Sequence, residues 1–182
     1  RGAFSGDGDW TGAKRFLVTQ DTNLSALGSQ VLMDLGEVDM SEKETLVDFV
    51  IWAMQSYPAE NYALIMSDHG MGWPGGWSDP DPYQDGEMEL HELVEGLRLI
   101  TAKTGIGQLE FVGFDACLMS QVEVMTAIAP YAKYAVASEE TEPAMGWAYK
   151  DFLLELSRNP SMSGGDMARL IVETYIDQDV KI

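Results

Sequence analysis

The 182-residue sequence predicts an α/β fold, a mostly parallel sheet with helices on both faces. Three short apolar runs, 62–66, 109–114 and 134–137, have the composition of buried strands. Segments of helical periodicity alternate with these runs, which is the pattern of crossover connections between parallel strands. The length fits one domain with a sizeable core, so we predict a single domain over 1–182.

The composition excludes several classes of protein. Hydrophobic residues make up 46% of the chain, which excludes general disorder. No apolar run approaches the roughly 20 residues of a membrane helix. The net charge of −19 argues against nucleic acid or an anionic membrane as a partner, and it suits a cationic substrate. The single cysteine excludes a disulfide framework and a zinc-thiolate cluster.

That cysteine, Cys117, follows the apolar run 109–114 after Asp115 and Ala116. The pattern turns helical over 118–128, and Pro130 closes the predicted helix. We therefore expect Cys117 between the carboxyl end of a strand and a helix N-terminus, which stabilises a thiolate. From this stretch alone, a small buried hydrophobe is an equally good interpretation of the cysteine.

A candidate base ends another predicted strand. The run 62–66 leads into Ser67-Asp68-His69-Gly70. If both strands belong to one parallel sheet, His69 and Cys117 emerge on the same edge, as a nucleophile and base pair requires. The backbone N–H groups of Gly70 and Cys117 are candidates for an oxyanion hole, because glycine lets a ligand approach the backbone.

These two stretches, Asp68-His69-Gly70 and Asp115-Ala116-Cys117, resemble the clostripain family of cysteine peptidases (family C11, clan CD). The resemblance runs from about residue 14 to 149 and includes three more segments and a dipeptide: 35–40, 57–59, 137–143 and Gly146-Trp147. It implies a caspase-like three-layer α/β/α sandwich. Family members carry an earlier strand and helix, so the sheet is expected to be N-terminally truncated.

The resemblance implies a cysteine endopeptidase with a Cys117–His69 dyad and no essential third carboxylate. Asp68 is a candidate to orient the imidazole, and capping a turn is as good an interpretation of it. A non-peptidase cysteine hydrolase or acyltransferase, and an inactive binding module, stay open as alternatives. The family also favours a secreted or cell-envelope location.

The expected cleavage site follows Arg or Lys. Asp115 lies two residues before Cys117 on a strand, so its side chain is expected on the same side. The matching aspartate of the family is thought to line the pocket for that substrate residue. Capping of the following helix is the alternative. Four further residues are predicted to contribute to substrate binding from the neighbouring strand end: Ser138, Glu139, Glu142 and Trp147, the last as an apolar wall or as core.

The remaining expectations concern chain organisation. Residues 1–13, rich in Gly, Ser and Asp, are predicted to be a flexible lead-in, and 70–87 a long acidic loop. Carboxylates of that loop are candidates for calcium, although a solvated acidic loop is the favoured interpretation and no cofactor is expected to be required. Predicted helices cover 41–56, begun by a Ser41/Glu44 capping box, then 90–104, 151–158 and 165–176; a strand covers 15–19, and 21–42 is turn-rich.

Family members are commonly matured by a cut between the histidine and the cysteine. In this chain only Arg98 and Lys103 are basic in that interval, and both fall on or near a predicted helix. The segment 70–87 contains no basic residue. We therefore expect no processing within 70–87. His91 lies on the same predicted helix as Arg98 and is assigned no role.

Overall fold

A computed structural model of the chain describes residues 10, 12–20, 22–23, 26–81 and 84–179. The chain divides into two units, Arg1–Asp39 and Met40–Ile182, which are described separately. The single domain over 1–182 stays a prediction. Most of the predicted lead-in, 1–13, lies outside the described residues.

The secondary structure alternates strands and helices through most of the chain. Its elements are, in order, β1 (Ala13–Leu17), β2 (Gln30–Gly36), α1 (Lys43–Ser56), β3 (Ala63–Ser67), β4 (Gly75–Asp81), β5 (Gln84–Glu89), α2 (Leu90–Thr104), β6 (Leu109–Asp115), α3 (Val122–Ile128), β7 (Ala132–Val136), α4 (Tyr149–Arg158) and α5 (Gly164–Asp179).

In the first unit, β1 and β2 form an antiparallel pair. The predicted strand 15–19 overlaps β1, but β2 falls in a segment predicted to be turn-rich, so that prediction was wrong. Most of β2 is exposed and lacks the alternation of a half-buried strand. Pairing with β1 supplies its backbone hydrogen bonds, and the register partners Lys14 and Asp34 form an ion pair of 3.5 Å across the two strands.

In the second unit, β3, β6 and β7 form a parallel sheet in the order β3-β6-β7. Val112 and Phe114 of β6 pack on one face of this sheet, in a core with buried residues of α1, α2 and α3. Phe111 packs on the other face with buried residues of α4 and α5. The three-layer α/β/α arrangement is therefore confirmed, and β6 is buried on both faces, as a central parallel strand is.

The helix boundaries test the sequence signals one by one. α2 has the predicted bounds, with a reciprocal capping box between Glu89 and Glu92 at its start. α1 begins at Lys43, and its N-cap is Glu42 rather than the predicted Ser41; the Glu42 side chain makes no cap bond. α4 and α5 overlap the predicted helices and extend beyond them. Among the described residues, no helix has the length and apolar character needed to cross a membrane.

Two predictions near the expected site were wrong. The segment 70–87 is mostly an antiparallel hairpin, β4–β5, and not a loop. Its glycines allow close backbone contact: a Cβ at Gly76 would lie 2.6 Å from the carbonyl oxygen of His69. The helix predicted from residue 118 begins at Val122, because a turn intervenes in which Leu118 has a positive φ of 63°. Cys117 is therefore not at a helix N-terminus.

Candidate active site

The ends of β3 and β6 bring the predicted pair of residues to one edge. Ser67 and Asp115 are register partners in the parallel β3–β6 ladder. His69 follows Ser67 by two residues, and Cys117 follows Asp115 by two residues. Both side chains line a cleft of about 340 Å³ at the carboxyl edge of the sheet. This is the edge at which open parallel sheets bind ligands.

Gly70 lies where the segments that follow the two strands approach each other closely. A Cβ at this position would overlap the carbonyl oxygen of Cys117 and would lie 3.1 Å from the Cβ of Ala116. Only glycine therefore fits between the histidine segment and the cysteine segment.

The β4–β5 hairpin forms backbone hydrogen bonds with the segment that contains His69. The N–H of Trp77 donates to the carbonyl of His69 over 2.9 Å, and the N–H of Met71 donates to Gly75 over 2.9 Å. These two bonds form the bridge between Gly70 and Gly76, and they leave the N–H of Gly70 out of the pairing. The Trp77 ring packs 5.3 Å from the ring of Phe114 in β6, which anchors the hairpin on the core.

The nucleophile candidate contacts the segment that follows β7. Cys117 is half-buried, and its Sγ accepts the N–H of Glu142 over 3.2 Å. Two neighbouring main-chain bonds hold the same segment: Leu118 N–H to Glu140 O over 3.1 Å, and Ser120 N–H to Ser138 O over 2.9 Å. The backbone at Glu142 is thereby fixed next to the thiol.

Asp115 is a buried carboxylate held by neutral donors. Its Oδ2 accepts the hydroxyl of Tyr149 over 2.8 Å, the N–H of Trp147 over 3.3 Å and the hydroxyl of Ser67 over 3.4 Å. Burial and the bond to Asp115 raise the pKa of Tyr149 well above its ordinary value, so Tyr149 stays a donor. The helix-capping alternative for Asp115 was wrong, because the N-cap of α3 is Gln121.

The backbone of Gly146 lies in close contact with the Asp115 carboxylate. It has a positive φ of 65°, and a Cβ there would lie 2.6 Å from Oδ2 of Asp115. Both the backbone conformation and the space therefore require glycine.

Glu142 is the second acid of the cleft. Burial raises its pKa to about 7, and the neighbouring Asp115 carboxylate adds to that increase. The indole N–H of Trp147 donates to Oε1 over 3.3 Å, whereas Oε2 is buried and has no hydrogen-bond partner among the described residues. We call the part of the cleft formed by Asp115 and Glu142 the acidic pocket.

The other predicted substrate contacts lie elsewhere. Ser138 and Glu139 do not line the cleft: Ser138 bonds the turn after Cys117 through its carbonyl, and Glu139 is exposed. Their contribution to substrate binding stays a prediction. Trp147 is buried behind the pocket, where it donates to both acids and packs in the core of α4 and α5. A Cβ at Gly113 would lie 2.7 Å from this indole, so the glycine in β6 makes room for it.

Some residues of the cleft were missed in the sequence. Ser67 and Tyr149 hold Asp115, and Pro143 and Ala144 line the cleft next to Glu142. Ser67 was detectable, because it ends the strand that pairs with β6. Tyr149 had no local signal, since its hydroxyl reaches Asp115 from the start of α4.

The described residues do not support a metal site. No group of three or more His, Cys, Asp or Glu in the described part of the chain is arranged to hold an ion. Asp79, one of the calcium candidates, accepts the N–H of Met40 over 2.8 Å. That no cofactor is required stays a prediction, and so does the calcium candidate; activity after chelation would test both. His91 is exposed on α2 and contacts Glu89, away from the cleft.

Comparison with known proteins places the chain. The model of the clostripain family matches residues 18–181. Clostripain of Hathewaya histolytica is 30% identical over 98 residues, which cover 48% of this chain and 18% of that protein. A secreted C11 cysteine protease of Bacteroides thetaiotaomicron, solved with an irreversible peptide inhibitor, has a TM-score of 0.75 at 23% identity, covering 92% of this chain and 45% of that one.

An inactive zymogen C11 protease of Parabacteroides distasonis has a TM-score of 0.62 at 24% identity, covering 85% of this chain and 42% of that one. The chain thus spans less than half the length of these relatives. Since the family model matches nearly the whole sequence, this chain belongs to the clostripain family.

Proposed function

We propose that this protein is a cysteine endopeptidase that cleaves peptide bonds after Arg, and less efficiently after Lys, through a Cys117–His69 dyad. One observation carries the proposal. The cleft that holds His69 and Cys117 also holds two carboxylates, Asp115 and Glu142. A nucleophile, a base and an acidic pocket within about 340 Å³ match the needs of a peptidase for basic residues.

The chemistry follows from these positions. The Cys117 thiolate attacks the scissile carbonyl carbon and forms a C–S bond. The C–N bond then breaks while His69 gives a proton to the leaving amine. Water, deprotonated by His69, hydrolyses the thioester, releases the acid product and restores the thiol. We propose that the N–H groups of Gly70 and Cys117 bond the negative oxygen formed in each step; the Gly70–Gly76 bridge does not use the N–H of Gly70.

The pocket favours a guanidinium. Asp115 and Glu142 present acceptors that a planar guanidinium can bond through several N–H groups at once, whereas an ammonium is a compact point charge. Oε2 of Glu142 is buried without a partner, and a bound cation would satisfy it. This polar atom is the reason to place the substrate's basic side chain here and not on the acidic surface.

A labelling experiment tests the proposal. A peptidyl-arginine chloromethyl ketone should modify the complete protein once, at Cys117, and should not modify Cys117→Ala. His69→Ala should react at least tenfold more slowly while iodoacetamide still reaches its thiol. Equal labelling by leucine and arginine reagents would favour a non-peptidase cysteine hydrolase. Absence of labelling in a folded protein would favour an inactive binding module.

Peptides and proteins with exposed basic residues are the proposed substrates, in line with the net charge of −19. The Bacteroides relative is described as secreted. By that likeness we propose an extracellular location for this protein as well, which immunodetection in the cell fraction alone would contradict.

A further inference from the structure

The acidic pocket and the nucleophile share one residue. The main-chain N–H of Glu142 donates to Cys117 Sγ over 3.2 Å, while the carboxylate of the same residue lies in the pocket beside Asp115. Any ligand that binds or neutralises this carboxylate therefore acts on the same residue whose N–H bonds the thiol. Asp115, the other acid, precedes Cys117 by two residues on the continuation of β6.

The groups around Cys117 carry mostly negative charge. A nearby like charge disfavours the charged form of a titrating group, and a nearby opposite charge favours it. The titratable groups around Cys117 are Asp68 and His69 from the end of β3, Asp115 from β6, Glu142 from the segment after β7, and Tyr149 from α4 behind Asp115. Of these, only His69 can carry positive charge, so an empty pocket leaves the carboxylates uncompensated.

We propose that Glu142 couples the pocket to the nucleophile, so that a cationic side chain in the pocket converts Cys117 from a thiol into the reactive thiolate. The inference rests on the proposed function, since the ligand is the substrate's own arginine. With the pocket empty, no cation in the described part of the chain compensates the charges of Asp115 and Glu142. With a guanidinium bound, their charge is neutralised and the Glu142 N–H stabilises the thiolate. The enzyme is then least reactive toward thiol reagents when it holds no basic substrate.

The raised pKa of Glu142, about 7, agrees with this geometry. Near neutral pH an empty pocket holds a mixture of protonated and ionised Glu142. A bound cation favours the ionised form, so the pocket gains its full charge only when that charge is compensated.

The test follows alkylation at Cys117 itself, the one cysteine of the 182-residue sequence, by mass spectrometry of the peptide that contains it. The rate of iodoacetamide alkylation of the complete protein is measured from pH 5.5 to 9.5, with and without methylguanidinium. Tetramethylammonium chloride at equal concentration controls for ionic strength. The midpoint of the pH profile gives the thiol pKa, whatever effect the bound cation has on access.

We expect methylguanidinium to lower this midpoint by about one pH unit. Below the midpoint, alkylation should be about threefold faster, because the tenfold gain in thiolate is partly offset by its lower nucleophilicity. In Glu142→Gln the midpoint should already be low and should respond little to the cation. Glu123→Gln, an exposed acid on α3, should behave as wild type. If Glu142 were merely structural, its variant would lose reactivity and keep the wild-type response.

The experiment separates a failure of the proposed coupling from a failure of the proposed function. If methylguanidinium competes with an arginine substrate but leaves the alkylation midpoint unchanged, the coupling is wrong and the proposed function stands. If methylguanidinium neither competes nor shifts the midpoint, and arginine substrates are not cleaved, both proposals are wrong.

Discussion

The carboxylates of this protein occur in two environments: some are ion-paired on helix surfaces, and two lie in the acidic pocket without a cation among the described residues. On the helix surfaces, acids are paired with arginines one turn away: Glu95 bonds Arg98 through both oxygens, at 2.7 and 2.8 Å, and Asp166 pairs with Arg169 at 3.1 Å. In the acidic pocket, Asp115 and Glu142 have no Lys, Arg or His partner among the described residues and are held by neutral donors.

The pKa shifts of the acids in the two regions have opposite signs. Arg98 lowers the pKa of Glu95, whereas burial raises the pKa of Glu142 to about 7. Exposed ion pairs contribute little to stability, because water screens them. Buried acids without a cation cost stability and are retained where a ligand supplies the missing charge. In a chain of net charge −19, this difference in local pairing supports the proposal that the acidic pocket, and not the acidic surface, binds the substrate's basic side chain.

The difference between the two regions is tested first by neutralising one acid from each. Glu142→Gln is expected to lower kcat/KM for arginine substrates about 10- to 100-fold, because a hydrogen bond between charged groups is lost in a buried site. Glu95→Gln should stay within twofold of wild type. Steady-state kinetics with a leucine substrate in parallel serve as control; an equal loss on both substrates would mean that Glu142 acts on folding and not on specificity.

The pH dependence of stability sharpens the comparison. The pKa of Glu142 is about 7 in the folded state and 4.5 as the reference, so its neutral form favours folding. This contribution is fully present below pH 4.5 and is lost as pH rises through 7. At pH 8 we expect Glu142→Gln to be more stable than wild type by about 1 kcal/mol, after allowing for solvent screening of a half-buried group.

Urea unfolding at pH 5 and pH 8 measures this difference. The two proteins should be nearly equal at pH 5 and should diverge at pH 8. A wild type that is the more stable protein at pH 8 would show that the Glu142 carboxylate already has a compensating partner.

The smallest expected effect is an absence of cleavage. Arg98, one of the two basic residues between His69 and Cys117, is held by Glu95 on α2, and Lys103 lies in the last turn of the same helix. A formed helix does not present an extended backbone to a peptidase cleft. The segment 70–87 itself contains no basic residue. Mass spectrometry of active protein should therefore show no cut within 70–87, and a fragment ending there would contradict this prediction.

The sequence predicted those parts whose signal is local. The apolar run of β6 and the amphipathic pattern of α2 determine their own structure, and the strand-end positions of His69 and Cys117 follow from β3 and β6. The placement of Asp115 and Glu142 at one cleft followed from the same reasoning, with the family resemblance.

The parts that failed depend on distant partners. The β4–β5 hairpin is rich in Gly and Asp and takes its order from bonds to His69 and from Trp77 against Phe114. The turn after Cys117 places an ordinary leucine, Leu118, at positive φ, which no local rule predicts. The contact of the Glu142 N–H with the thiol of Cys117 likewise joins segments 25 residues apart, which no local signal predicts.

The most direct measurement compares arginine, lysine, aspartate and leucine at the substrate position before the cleaved bond, in wild type and Asp115→Asn. Wild type should prefer Arg, then Lys, and should cleave the other two poorly. Asp115→Asn should lose about 100-fold or more on Arg and little on Leu, since the charge that faces the guanidinium is gone. Alkylation of Cys117 by iodoacetamide in the variant shows that the cleft is intact. A wild type that prefers Asp or Leu, or an Asp115→Asn variant that keeps the Arg preference, would contradict the account.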